Sequence, residues 1–330
     1  MGANWDLLGH EWAVRLLQGQ VASGNFRHAY LFTGPDGVGR RTLALRLAQA
    51  LNCSNPSAPG EFCGNCRACR GFGRGQHADL LVVELQEGDR EIKIDALREL
   101  SRSLSRTPLE AKYQIGLLLD FQLASEEAAN ALLKTLEEPN PSVVLCLTGP
   151  DADSLPETIV SRCELMRLRP MTIEELTRAL VAKLSIDEKK ASLLASLSGG
   201  CPGLALRWHA QPEILEQRSE WLAAGVQLLY ANRVQRFAFA EKASKDRNGL
   251  RNLLLVWMAL WRDVVIRTTH SSIPVSNPDN EETLAALSRQ ITPAAAQNAF
   301  QALERSLSRL DTNVNTRLAL ESLLLELPTL

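Results

Sequence analysis

Apolar residues fall in short continuous runs along the first half of the chain and at helical spacing along the second. The runs Ala29–Thr33 (AYLFT), Leu80–Leu85 (LLVVEL), Ile115–Asp120 (IGLLLD) and Val143–Thr148 (VVLCLT) are brief and nearly unbroken, the pattern of strands covered on both faces. Between them, RRTLALRLAQAL, DALRELSRSLSR and SEEAANALLKTLEEP carry apolar positions at helical spacing. In the last of these, Ser125 is the expected N-cap, Glu126 and Glu127 favour the first turn, and Pro139 is the stop. Strands alternating with helices predict an α/β fold with a parallel sheet.

After about Arg169 the strand pattern ends. Thr172–Leu206 reads as two or three helices around the turn SGGCPG, Ser198–Gly203. From Pro212 the chain reads as long amphipathic helices, interrupted by a polar loop at His270–Glu282. The expected division is an α/β domain over 1–169, a small helical domain over 170–210 and a helical bundle over 211–330.

Composition narrows the possibilities. The chain has 330 residues, of which 45% are hydrophobic, enough for two or three cores. Lys and Arg number 36 against 38 Asp and Glu, and the net charge of −2 excludes DNA binding by bulk positive charge. The longest wholly apolar run, Leu253–Trp261, covers nine residues, well short of the roughly 18 that a membrane span requires. The opening MGANWDLLGHEW has no basic region followed by an apolar one, so no secretory signal and a cytoplasmic location are expected. Seven cysteines in such a chain point to reduced thiols or a metal site.

Four motifs carry candidate chemistry. Gly34-Pro-Asp-Gly37-Val-Gly39-Arg40-Arg41-Thr42 has the spacing of a phosphate-binding loop between strand and helix. Its glycines can turn backbone N–H groups toward an anion. Arg40 replaces the phosphate-contacting lysine, and Arg41 stands where a hydroxyl should hold Mg²⁺. Shifting the frame to use Thr42 would put Arg40 in place of a glycine. The loop therefore binds nothing, or binds ATP or ADP without turnover; hydrolysis is the least favoured of the three readings. Asp120, closing its apolar run, fits the metal-holding acid of a Walker B strand, but Phe121 follows where an ATPase carries a water-activating glutamate.

The third motif is Cys53-x9-Cys63-x2-Cys66-x2-Cys69, four thiols within 17 residues. It can close a tetrahedral structural site around Zn²⁺. Iron–sulfur runs differ in spacing and in their flanking proline, and unligated thiols are the remaining reading. His77, just downstream, reads as a surface residue, and Cys146 as strand core. The fourth motif, Ser161-Arg162-Cys163, says little by itself, a surface arginine being the default.

In this order, RHAYLFTGPDGVGRRT, the four-cysteine insertion, EEAANALLKTLEEP, Ser161-Arg162-Cys163 and NVNTRLALESLLLEL resemble the AAA+ clamp-loader subunits of the bacterial DNA polymerase III holoenzyme over nearly the whole chain. The gamma/tau members of that family carry an intact Lys-Thr phosphate loop and an Asp-Glu Walker B. This chain departs at both, and Gly203 stands where ATPase relatives place the sensor 2 arginine. The resemblance implies an AAA+ module with a zinc-binding insertion at about 53–69, a helical lid and a helical collar. It implies a hetero-pentameric ring with gamma/tau and delta subunits that loads a sliding clamp onto primed DNA, with no membrane partner. It also implies that Arg162 reaches a neighbour's ATP site in trans, a salt bridge closing the α/β domain being the alternative. An active gamma/tau-type motor is the principal alternative, and a stand-alone DNA-binding protein is disfavoured by the charge balance.

Overall fold

In the computed structural model, residues 5–86, 88–310 and 314–330 are described. The first four residues of the opening stretch, and the Asn313 that begins the NVNT run, lie outside the described residues.

Helix α1 (Glu11–Ser23) leads into β1 (Ala29–Thr33), α2 (Arg40–Asn52), α3 (Arg67–Gly73), β2 (Leu80–Val83) and α4 (Ile94–Leu104). Then come β3 (Gln114–Leu118), α5 (Glu126–Glu137), β4 (Val143–Gly149), the short α6 (Glu157–Val160) and β5 (Glu164–Arg167). The strands form one parallel sheet in the order β2-β3-β4-β1-β5. Strand alternation splits each apolar run between two cores. Tyr30, Phe32, Val144 and Cys146 pack with α1, α2 and α3, whereas Leu31, Leu145 and Leu147 pack with α4 and α5. Continuous burial on both faces is why these segments read as unbroken runs.

Three strand readings need correction. The second and third apolar runs leave the sheet at Val83 and Leu118, so Asp120 lies beyond its strand. Strand β5, which pairs with β1 at the sheet edge, has no apolar run, because only Met166 of its four residues is buried. Its Glu164 accepts hydrogen bonds from Gln20 and lies 3.7 Å from Arg27. The sheet order brings the C-terminal ends of β1 and β3 to either side of β4, where open parallel sheets present their sites.

The chain groups into two compact units, Met1–Lys183 with Gly200–Leu204, and Leu184–Gly199 with Ala205–Leu330. Helix α7 (Ile173–Leu184) falls almost wholly in the first, and α8 (Glu188–Leu197) in the second; α9 spans Pro202–Ala210. The second unit continues with α10 (Pro212–Leu229), α11 (Arg233–Ala243), α12 (Arg247–Thr268), α13 (Glu281–Gln290), α14 (Pro293–Leu310) and α15 (Thr316–Glu326). Trp257 and Trp261 of α12 anchor its core, and Gly225 of α10 lets the Trp257 ring approach, its Nε1 donating to the Trp221 carbonyl.

Two buried polar hubs fix the loops of this unit. Asp263 is fully buried and accepts from the Ser276 and Asn277 N–H groups and from the Asn277 amide, pinning the polar loop after α12. Arg236 is buried and donates to the carbonyls of Leu324, Leu327, Leu229 and Pro328 and to Thr329 Oγ1. Among the described residues, no helix is long and apolar enough to cross a membrane.

Candidate functional site

The loop after β1 is held by backbone contacts that only glycines permit. Gly34 has φ +147°, and a Cβ there would lie 2.4 Å from the Leu168 carbonyl oxygen. Its N–H donates to the carbonyls of Gly149 and Pro150 at 3.2 and 3.0 Å. The Gly37 carbonyl accepts from the Gly203 N–H at 2.7 Å, and a Cβ on Gly203 would also lie 2.7 Å from that oxygen. The first turn of α9 thus packs directly on the phosphate loop. Position 203 accepts no side chain in this arrangement, the sensor 2 arginine included. His10 Nε2 lies 2.9 Å from the Val38 carbonyl on another side of the loop.

Arg40 opens α2, and one of its guanidinium nitrogens lies 3.2 Å from the Asp120 carboxylate. Its other terminal nitrogen, Nη1, is buried with no hydrogen-bond partner. Asp120 sits in the left-handed region at φ 47° and ψ 54°, its N–H bound to Thr148 Oγ1 at 2.8 Å. Phe121 points into the core at 1% exposure. A guanidinium therefore neutralises the carboxylate at the position where an ATPase holds its metal, and a buried ring replaces the acid that would position water. Arg41 and Thr42 are exposed. The N–H groups of the first turn of α2, at Arg40, Arg41 and Thr42, have no intrahelical acceptor by helix geometry.

The four cysteines converge. Cys53 caps the C-terminus of α2, Cys66 is the N-cap of α3, and the four Sγ atoms lie within 4.8 Å of one another. Three sulfurs accept backbone N–H groups: Cys53 from Cys63, Cys63 from Cys66 and Cys66 from Cys69, at 3.2, 3.3 and 3.4 Å. The N–H groups of Cys66 and Asn65 lower the Cys63 pKa. For Cys66, burial raises the pKa, but the N–H groups of Cys69 and Ser54 outweigh it and bring it to about 6. Burial raises those of Cys53 and Cys69. Sulfurs gathered this closely and already receiving N–H donors suit a thiolate-bound metal ion. Gln49 Nε2 donates to the Cys69 carbonyl at 2.6 Å, tying the cluster to the helix that begins at the phosphate loop.

His77 is buried, contrary to its reading as a surface residue. Its ring stacks on Phe72 with centroids 4.1 Å apart, and its Nδ1 accepts the Asp79 N–H. Cys146 is buried strand core, with its pKa raised by burial. Burial pushes Cys163 up to about 12 and Cys201 up to about 11. These three are protonated packing groups at neutral pH.

Arg162 follows α6. It donates to Glu137 at 2.5 Å and to the Thr158 carbonyl at 2.8 Å, with about a third of its side chain exposed. No hydrogen bond or ion pair among the described residues joins it to the phosphate loop or to Asp120. Its partner Glu137 ends the helix of the ALLKTLEEP motif. The sequence reading names no partner for the Arg40–Asp120, Gln49–Cys69 and Arg162–Glu137 contacts, although a salt bridge within the α/β domain is one reading of Arg162. Each joins residues at least 20 positions apart, and only the charged pairs left any signal, in their charges.

An open parallel sheet with a glycine loop feeding α2 and an acid beyond β3 defines a P-loop class module whose metal-binding hydroxyl and water-activating acid are missing. Family models described as "DNA polymerase III, delta subunit" and "DNA polymerase III, delta subunit, C terminal" match residues 9–172 and 212–329. A DNA polymerase III subunit delta' from Pseudomonas aeruginosa is 33% identical over 91% of this chain and 91% of its own. One from Bacillus subtilis is 27% identical over 95% and 94%. A DNA polymerase III subunit gamma from Buchnera aphidicola is 31% identical over 57% of this chain, which spans about half of that protein at 52%. The chain belongs to the delta-prime family of DNA polymerase III subunits.

Proposed function

We propose that this chain is a non-hydrolysing subunit of a clamp loader, part of a hetero-pentameric ring with gamma/tau and delta subunits that places a sliding clamp on primed DNA in the cytoplasm. The observation that carries the non-hydrolysing role is the Arg40–Asp120 pair, with Phe121 buried beside it. The two groups that should meet a phosphate and its metal neutralise one another instead. Losing both the Mg²⁺ hydroxyl and the water-orienting acid removes stabilisation that acts mainly on the transition state. Gly34, Gly37, Gly39, Arg40, Arg41, Thr42 and Asp120 are then a degenerate nucleotide site.

In this reading the chain acts on its neighbour. Arg162 supplies a guanidinium to the ATP site of an adjacent gamma/tau subunit, where its planar fork suits the charge on the γ-phosphoryl oxygens. Its contact with Glu137 keeps it ordered and partly exposed in the single chain. Cys53, Cys63, Cys66 and Cys69 hold Zn²⁺ in a closed four-ligand site, which supplies folding energy and no catalysis. The functional division is an AAA+ domain over 1–169, a lid over 170–210 and a collar over 211–330 that joins the ring.

The test is reconstitution. The chain is mixed with gamma/tau, delta and clamp proteins, and clamp- and DNA-stimulated ATPase is measured with and without it. Stimulated hydrolysis that requires this chain, together with no turnover by the chain alone, supports the reading. Steady turnover by the isolated chain that vanishes in Asp120→Ala favours the gamma/tau-type motor.

A further inference from the structure

Helix α3 turns two kinds of residue in opposite directions. Cys69 and Phe72 are buried, whereas Arg67, Arg70 and, at the C-cap, Arg74 are exposed. Residues three and four apart share one helix face, here about 4.5 and 6 Å apart along the axis at 1.5 Å per residue. Residues 62–78 contain these three arginines and no Asp or Glu. The next acid, Asp79, is fully buried and accepts the N–H groups of Leu109, Glu110 and Ala111. Arg67 shares Glu110 at 2.7 Å, while Arg70 and Arg74 have no acidic partner among the described residues.

A fourth guanidinium joins the row from the phosphate loop. Arg41 Nη2 comes within 3.6 Å of the position a Cβ on Gly75 would take. The side chain at the lost Mg²⁺-hydroxyl position therefore extends alongside α3. A molecule with a net charge of −2 concentrates unneutralised cations on this face.

We propose that the face formed by Arg41, Arg70 and Arg74, with Arg67 at its edge, is a docking surface for the phosphate backbone of duplex DNA, bound without regard to sequence. Each DNA strand presents one negative charge per about 3.4 Å of axis, a spacing on the scale of the arginine row. Single-strand surfaces add exposed aromatic rings on which bases stack. The aromatic rings nearby are engaged: Phe72 is buried, Phe62 lies under the Arg46 guanidinium, and Tyr113 packs edge-on to Phe26. A row of cations without stacking platforms fits a duplex backbone. The choice of DNA as occupant rests on the clamp-loading reading, and the surface adds to it a docking face that depends on neither Arg162 nor nucleotide in the degenerate loop.

The test is fluorescence anisotropy of a mixed-sequence duplex with the full chain, from about 50 to 200 mM salt. The unaltered chain binds, and log K falls linearly with log salt. Arg41→Gln/Arg70→Gln/Arg74→Gln lowers affinity at the lowest salt at least about tenfold and reduces the slope by about 2.7, at about 0.9 per phosphate contact. Arg70→Gln/Arg74→Gln leaves α2 untouched and reduces it by about 1.8, which keeps the test valid should the triple variant fold poorly. Lys189→Gln/Lys190→Gln, with exposed cations on α8, changes neither quantity. Absence of duplex binding by the unaltered chain, or the same slope in the arginine variants, overturns the proposal. So does a loss confined to single-stranded DNA or to a poly-glutamate peptide.

Discussion

The guanidinium of Arg40 and the carboxylate of Asp120 form an ion pair at 3.2 Å across the strand ends where P-loop nucleotide hydrolases bring a phosphate to its metal. Substituting the loop alone removes this guanidinium but does not rebuild the rest of a hydrolytic site. Phe121 stays in the core, and Gly203 stays against the Gly37 carbonyl. Arg40→Lys/Arg41→Thr is therefore expected to show no ATP turnover above background in a phosphate-release assay, because the water-positioning acid is still missing. Turnover restored by these two changes alone would mean that the site is degenerate only in its loop.

Gly203→Arg, which rebuilds the sensor 2 residue, is expected to destabilise the chain. The added Cβ would meet the Gly37 oxygen at 2.7 Å and must displace the first turn of α9. A loss of about 1–3 kcal/mol is anticipated by analogy with overpacking, read as a lower denaturation midpoint with an unchanged m-value. An equally stable variant would show that this contact is soft.

Metal analysis should find about one zinc per chain, as four-ligand structural sites do. Cys66→Ser should lower both the metal content and the thermal midpoint, since it removes a thiolate ligand while its hydroxyl can still accept at the N-cap of α3. A metal-free chain with four titratable thiols here and an unchanged midpoint would contradict the zinc assignment.

Arg162→Ala should change the stability of the isolated chain by no more than about 1 kcal/mol, because its pair with Glu137 is partly exposed. In the reconstituted ring, the same variant should reduce stimulated hydrolysis, with Arg162→Lys failing to rescue it. Arginine fingers contribute on the order of 10³–10⁵ in rate at a single site, and the net loss over several sites is smaller. If Glu137→Gln alone reproduced the defect, Arg162 would be acting through the fold of its own chain.

Asp79 supplies a pH-dependent contribution to stability. Burial pulls its pKa upward, but the N–H groups of Leu109, Glu110 and Ala111 outweigh that and hold it below the ordinary 3.8. A depressed carboxyl stabilises the fold fully above its unfolded pKa, and that stability is lost as pH falls from about 3.8 through the lower folded value. Asp79→Asn should flatten this part of the stability–pH curve. It should also cost about 1–3 kcal/mol at neutral pH, because its amide NH₂ would face one of the N–H donors. Denaturation midpoints between pH 2 and pH 7 would test this; parallel curves for the two proteins would argue against it.

The strands β1 and β4 were legible because burial on both faces leaves a continuous apolar run, and the helices beyond Arg169 because their apolar positions recur at helical spacing. Strand β5 was not, since only Met166 of its four residues is buried, which leaves Glu164 and Arg167 without an apolar environment to match. The four thiols were legible because they come from one segment of 17 residues, where closeness in sequence brings them close in space. His77 was misread because a single histidine gives no sign of whether an aromatic neighbour such as Phe72 will cover it. The Arg40 pairing was hidden for a related reason: the substitution is visible in the loop, but its partner lies 80 residues away, beyond another strand.

Arg236 binds five oxygens, four of them in the last seven residues of the chain, and the Leu330 N–H donates back to Leu229. Such a tail does not fray by itself, since peeling it away would strip Arg236 of four of its five acceptors. Its amides should therefore exchange with solvent as slowly as those in the middle of α12, through opening of the whole helical unit, although chain ends ordinarily exchange first.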